Sequence, residues 1–421
     1  MSEHFQETIL PNGLRVVSDP MAAVETVSLG VWVNTGTRNE APEINGISHL
    51  LEHMAFKGTE RRTARDIAEE IEAVGGHLNA YTSREQTAYY AKVLKEDTAL
   101  AIDIIADIVQ HSTLDSEELA REQAVVVQEI GQAIDTPDDI IFDHFQETAY
   151  PDQALGRPVL GTAELVRSMT KQTIADYMGT HYTAPRMTLA AAGKIDHGTL
   201  VGLATQAFDA LPSGTVEAEE KASYRGGDYR EERDLEQIHV VLGFDGVSYE
   251  DPHFYTSQVL STALGGGMSS RLFQEIREKR GLVYSIYSFA SSYADGGLFA
   301  IYAATGEEEV GELVPVMCDE ILKATDLMSD AELQRARAQI KASMLMSLES
   351  SSSRCEQVAR QIQAYGRPVP VAESVAKIEA VDRESVRACA QRLFVTLPTL
   401  AAIGPLSKLE DYQTIRGRLA S

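Results

Sequence analysis

Cysteine is scarce: only Cys318, Cys355 and Cys389 occur, all in the last quarter of the chain and none in a CxxC spacing. That pattern indicates neither a disulfide framework nor a thiolate zinc site, so any bound metal must be held by nitrogen and oxygen. Basic residues are also few, 37 Lys and Arg against 63 Asp and Glu, for a formal net charge of −26. This balance argues against nucleic acid or an anionic membrane as a partner, and it favours basic substrates. No uninterrupted apolar run approaches the roughly 20 residues of a membrane helix. The opening MSEHFQETILPNGL lacks a basic region followed by an apolar one, so a cytoplasmic protein is expected.

What is present suits a soluble chain of two or more domains. It has 421 residues, 44% hydrophobic and 24% charged, and one core rarely grows beyond roughly 250 residues. The first half reads as a hairpin, ETILPNGLRVVSD, then the apolar strand VSLGVWVNTG and a short amphipathic helix within GISHLLEHMAFKG. After these come the helix TARDIAEEIEAVGG, strands in HLNAYTSREQTAYYAKVL, the helix TALAIDIIADIVQ and a long helix starting after Asp115. A helix near KQTIADYMGTHY and the strand MTLAAAGKI close the half.

Residues 212–236 are polar and nearly free of large aliphatics, which reads as a connector. Beyond it the order repeats: strand IHVVLGF, a helix near FYTSQVLSTALGGG, the helix SRLFQEIREKRG, two strands, two helices and the closing strand LPTLAAIG. LDSEELAREQAVVVQEI aligns with MSDAELQRARAQIKASM, and MTLAAAGKI resembles PTLAAIGPL, which points to an old duplication. The expected class is α+β, with two homologous domains of a sheet covered by helices, 1–211 and 237–421, joined by 212–236.

His49 and His53 are four residues apart, so on a helix they share one face and can share one metal ion. Glu52 stands beside them, where a general base would deprotonate a water at the ion. A helix with half-buried, hydrogen-bonded histidines fits the bare string equally well. A third ligand decides between the two. The long helix offers Glu122 and Glu129, two turns apart on one face with valines between them. A solvated acidic stripe is the alternative. In the second half Glu122 aligns with Ala336 and Glu129 with Ser343, and no HxxEH occurs there. The two parts of the site are present together in one copy and absent together in the other, which two surface accidents would not produce.

HLLEHMAFKGT, followed 76 residues after His53 by Glu129, resembles the inverted zinc-motif peptidases of the pitrilysin and insulysin family, in particular the mitochondrial-processing-peptidase-like branch. The resemblance implies His49, His53 and Glu129 as ligands of one Zn²⁺ per chain, Glu52 as the base, and Glu122 as a support for a ligand histidine. It also implies a clam-shell of two domains around a central chamber. A peptide would lie along the strand holding Asn79 and Ala80, with Phe56 lining a pocket. Arg277 and Tyr284 in the metal-free half would grip the substrate and stabilise the oxyanion. Gly265, Gly266 and Gly267 resemble a glycine-rich loop that processing peptidases carry on a separate subunit. Asp139 and Asp143 match positions that read an arginine near the cleavage point.

On spacing alone the plainer readings are an Asn before a turn, a core Phe56, a solvated Arg277, a core Tyr284 and an acidic helix start. The expected activity is that of a zinc endopeptidase for short or unfolded, preferably basic, peptides, working as a homodimer. Two alternatives stand beside it: a non-catalytic assembly subunit of the same fold, and a catalytic chain that requires a motif-less partner. Imidazole and carboxylate ligands make zinc the expected metal over manganese or cobalt.

Overall fold

A computed structural model describes residues 5–214 and 220–420, so part of the expected connector, 215–219, lies outside the described residues. The chain forms two compact units. Among the described residues no helix is long and apolar enough to cross a membrane.

The first unit is built on a six-stranded sheet: β1 (Gln6–Ile9), β2 (Arg15–Pro20), β3 (Thr26–Val33), β4 (His77–Thr82), β5 (Thr87–Leu94) and β6 (Met187–Gly193), in the order β1-β2-β6-β3-β5-β4. Only β2 and β6 pair in parallel. β3, TVSLGVWV, is buried along nearly its whole length. A strand needs so continuous an apolar run only when both sheet faces are covered. One face carries α1 (Ile47–Ala55), α2 (Ala64–Ala73), α3 (Thr98–Gln110) and α4 (Ser116–Ile134), whose Leu50, Leu51, Ile104, Ile105 and Val126 join Leu29 and Val31 in the core. The other face is covered by the distant helix Ser351–Tyr365, which lays Cys355, Val358, Ala359 and Ile362 on Val17, Trp32, Ala190 and Ala192. The Arg354 guanidinium meets the buried Asp19 carboxylate through both oxygens and fastens that helix to β2.

The second unit repeats the plan with β7 (Gly227–Glu232), β8 (Ile238–Asp245), β9 (Val283–Ser292), β10 (Gly297–Thr305) and β11 (Thr399–Gly404), in the order β7-β11-β8-β10-β9. Here too a single pair, β7 and β11, is parallel and the rest are antiparallel. One face holds the main core, and the other is covered by α5 (Pro137–Ala149), with Ile141, Phe145 and Ala149 against Val241, Ala300 and Ile403.

The duplication is visible in detail. α4 begins at Ser116 and its counterpart at Asp330, the register of the sequence alignment, and Glu122 and Ala336 are both buried at matched positions. Gly193 and Gly404 end matched strands with φ of +124° and +135°, and an added Cβ would meet the carbonyl oxygens of Thr26 and Gln237 at 2.2 and 2.6 Å. Only glycine tolerates that combination.

The boundaries differ from the sequence reading. The units are not contiguous: 133–156 belongs with the second, and 346–370 with the first. Packing requires complementary faces, not chain continuity, and α5 and the helix Ser351–Tyr365 each find theirs on a sheet built mainly by the opposite half. β7 also lies inside the expected connector; its sequence GDYREE has no apolar alternation, and it is specified by non-local parallel pairing with β11. The segment read as the helix SRLFQEIREKRG contains a π-helical stretch, Phe273–Glu278.

A candidate metal centre on two helices

α1 buries Ile47, Leu50, Leu51 and Met54, which leaves His49, Glu52 and His53 on its less buried side. Its N-cap, Gly46, has φ +96° and no capping side chain. The buried Glu40 carboxylate supplies the cap instead, accepting from the backbone N–H of Gly46 and Ser48, each at 2.8 Å, and from Asn45 Nδ2. A carboxylate is well placed there because orphan donors and the positive end of the helix dipole coincide. Burial raises its pKa, and the three donors oppose that rise.

α4 crosses opposite. Glu129 Oε2 lies 3.7 Å from His49 Nε2 and 3.6 Å from His53 Nε2. Four-coordinate zinc with bonds near 2.1 Å places its ligand atoms roughly 3.4 Å apart, so this spacing suits one ion. Among the described residues these three form the one His/Cys/Asp/Glu group within such reach. Burial, and then the neighbouring His53, lowers the His49 pKa from 6.5 to about 4. The ring is therefore neutral near pH 7 and presents a lone pair. His53 Nδ1 lies 2.9 Å from Glu122 Oε2, so it donates there in the tautomer that leaves Nε2 free to bind. Glu122 is buried, and its other oxygen takes Lys57 Nζ at 2.7 Å. Two imidazole nitrogens and one carboxylate oxygen, with a second carboxylate orienting one ring, fit a catalytic zinc ion.

Glu52 is half-buried, and burial raises its pKa; the Thr82 hydroxyl and His53 oppose the rise while Glu129 adds to it. Thr82 Oγ1 donates to Glu52 Oε2 at 2.5 Å. A carboxylate raised in this way is a better proton acceptor than an ordinary one.

β4 is the edge strand of its sheet, open to an added strand. Asn79 is exposed, and its Oδ1 accepts from the Ala80 N–H at 2.9 Å. Phe56, the C-cap of α1, is half-buried with its ring 6.2 Å from Tyr89.

The remaining sequence candidates belong to the second unit. The Arg277 guanidinium lies over two rings, Phe273 at 4.7 Å and Tyr284 at 4.9 Å, and Tyr284 is 78% exposed. Arg277 itself is on the π-helical stretch, a conformation frequent at functional sites. Gly265 packs so closely that a Cβ would meet the Ser288 nitrogen at 2.4 Å. Asp139 and Asp143 lie one turn apart on α5, and burial followed by its acidic neighbours raises the Asp139 pKa.

Sequence reading missed Glu40, Lys57 and Thr82. Lys57 was within reach of it, just past the end of α1 and four residues beyond His53. Nothing in spacing could reveal Thr82, which meets Glu52 only through the packing of β4 on α1.

Comparison with known proteins gives one direction. Residues 15–163 match the family model described as Insulinase (Peptidase family M16), and residues 168–340 match Peptidase M16 inactive domain. An "Uncharacterized zinc protease" of Rickettsia felis is 40% identical over 96% of this chain and 98% of its own. The "Probable mitochondrial-processing peptidase subunit beta" of Arabidopsis thaliana is 39% identical over 98% of this chain and 80% of its own. In fold, the peptidase M16 inactive domain from Pseudomonas fluorescens superimposes with a TM-score of 0.90 at 20% identity, covering 97% of this chain and all of that one.

Proposed function

The chain belongs to the insulinase family of peptidases, family M16, and from that premise we propose that it is a zinc-dependent endopeptidase cleaving short or unfolded peptides. The observation that carries the reading is the convergence of His49 Nε2, His53 Nε2 and a Glu129 oxygen from two helices, with the Glu52 carboxylate beside them. His49, His53 and Glu129 would hold zinc, which supplies a polarised scissile carbonyl and an acidified water. Glu52 would act as the proton carrier, its carboxylate taking a proton from the attacking water and returning it to the leaving amine. Glu122 keeps His53 in its binding tautomer, and the β4 edge with Asn79 and Ala80 offers the peptide backbone a partner strand. Arg277 and Tyr284 have hydrogen-bond donors suited to a substrate carbonyl, and Asp139 with Asp143 suits a basic side chain.

The test pairs zinc content with cleavage of an unfolded peptide by the parent and by Glu52→Gln. The expected result is one zinc per chain in both and cleavage by the parent alone; a zinc-loaded Glu52→Gln cutting at the parental rate overturns the role of Glu52.

One observation favours a second reading, in which the chain needs a partner: the Arabidopsis relative is named as a subunit. We favour a self-sufficient homodimer, because the zinc-binding residues and the glycine run Gly265, Gly266 and Gly267 share one chain. Light scattering on the purified, active protein separates the two.

A further inference from the structure

Resting on that reading, we propose that Thr82 is a positioning residue for the general base: its hydroxyl holds one oxygen of Glu52 so that the other is presented to the reacting water. Thr82 Oγ1 donates to Glu52 Oε2 at 2.5 Å. Oε1 accepts no hydrogen bond among the described residues, so the bond occupies one oxygen and leaves the other for proton transfer.

A glutamate beside a metal site needs such a restraint. Its side chain turns about several bonds, and the like charge of Glu129 acts on it from across the site. Unrestrained, the carboxylate would spread over several rotamers, few of them aimed at the water. Thr82 is fitted to the task. It is β-branched, so its χ1 is stiff. It sits in the last residue pair of the β4–β5 hairpin, opposite Thr87, and the following turn is closed by Ser83 N to Gln86 O at 2.8 Å. The Thr87 hydroxyl is itself bonded to the carbonyl of Thr35. The donor is therefore mounted on a rigid support outside the helix that carries Glu52. It is also on the strand proposed to dock the peptide backbone, so substrate and base are aligned by one element.

The experiment measures peptide cleavage and zinc content for Thr82→Val, which keeps the shape and removes the hydroxyl, and for Thr82→Ser, which keeps the hydroxyl. Misaiming a reacting group costs about 10- to 100-fold in rate, and kcat of Thr82→Val should fall by that factor with KM within about twofold and one zinc per chain retained. Thr82→Ser should stay within about threefold of the parent. In a Glu52→Gln background the Val change should leave the residual rate unaltered, because a residue that acts through Glu52 has nothing left to position. Thr82→Ala gives the same reading if the Val variant does not fold. Parental kcat in Thr82→Val, loss of its zinc, or an equal loss in the Glu52→Gln background each overturns the proposal. A parent that does not cleave removes the hydrolase reading as well; a cleaving parent with an inactive Glu52→Gln and an indifferent Thr82→Val removes this inference alone.

Discussion

His53 is held at both nitrogens: Nε2 faces Glu129, and Nδ1 donates to Glu122, whose other oxygen is engaged by Lys57. A carboxylate behind a ligand imidazole raises its basicity and fixes its plane, and losing such a partner weakens metal binding about 10- to 100-fold. Glu122→Gln should therefore raise the zinc dissociation constant by that factor in competition with a chromophoric chelator; an unchanged constant contradicts the role. Proton linkage gives a second prediction. Burial holds folded His49 at about 4 against an ordinary 6.5, and burial with Arg186 does the same to His181. Between those values the unfolded chain takes protons that the folded chain refuses, so the metal-free fold loses stability as pH falls through the window. Chelator-treated protein should unfold at lower denaturant at pH 5 than at pH 7, and His181→Gln should lessen the difference. A midpoint unchanged between the two pH values contradicts this.

The two covering helices show what patterning reveals and what it hides. α3 was legible because its apolar period is strong and local, and α4 because a second copy exists to compare it with. The helix Ser351–Tyr365, which begins with three serines, carries a stripe of its own in Cys355, Val358, Ala359 and Ile362, but its partners Val17, Trp32 and Ala190 are remote in sequence, so no local pattern shows which sheet it covers. The cluster of His49, His53 and Glu129 was legible for the same reason as α3: His49 and His53 are set by helical spacing, and Glu129 by its absence from the other copy. The Thr82 contact was not, since it depends on how a strand packs on a helix. α5 gives the prediction at this scale. Phe145 is 2% exposed, and its ring sits where a Cβ on Gly243 would lie 2.5 Å away. Phe145→Ala opens a cavity there and should lower stability by about 3–5 kcal/mol, read as an earlier denaturant midpoint. A change within experimental error would mean that α5 does not anchor the second unit.

At the scale of the whole molecule, a charge of −26 and the acidic pair on α5 are what the proposed preference for basic substrates rests on. One unfolded peptide compared with Arg and with Glu upstream of its cleaved bond should be cut faster in the Arg form, and less so at high salt; equal rates remove that preference. The central claim is narrower, that two helices of the first unit hold one metal ion. It is tested most directly by X-ray absorption at the zinc edge on purified protein supplied with zinc. One zinc per chain, bound to two imidazole nitrogens and a carboxylate oxygen at about 2.0–2.2 Å, is the predicted result. Zinc-free protein, or a zinc signal that persists in His53→Ala, would contradict it.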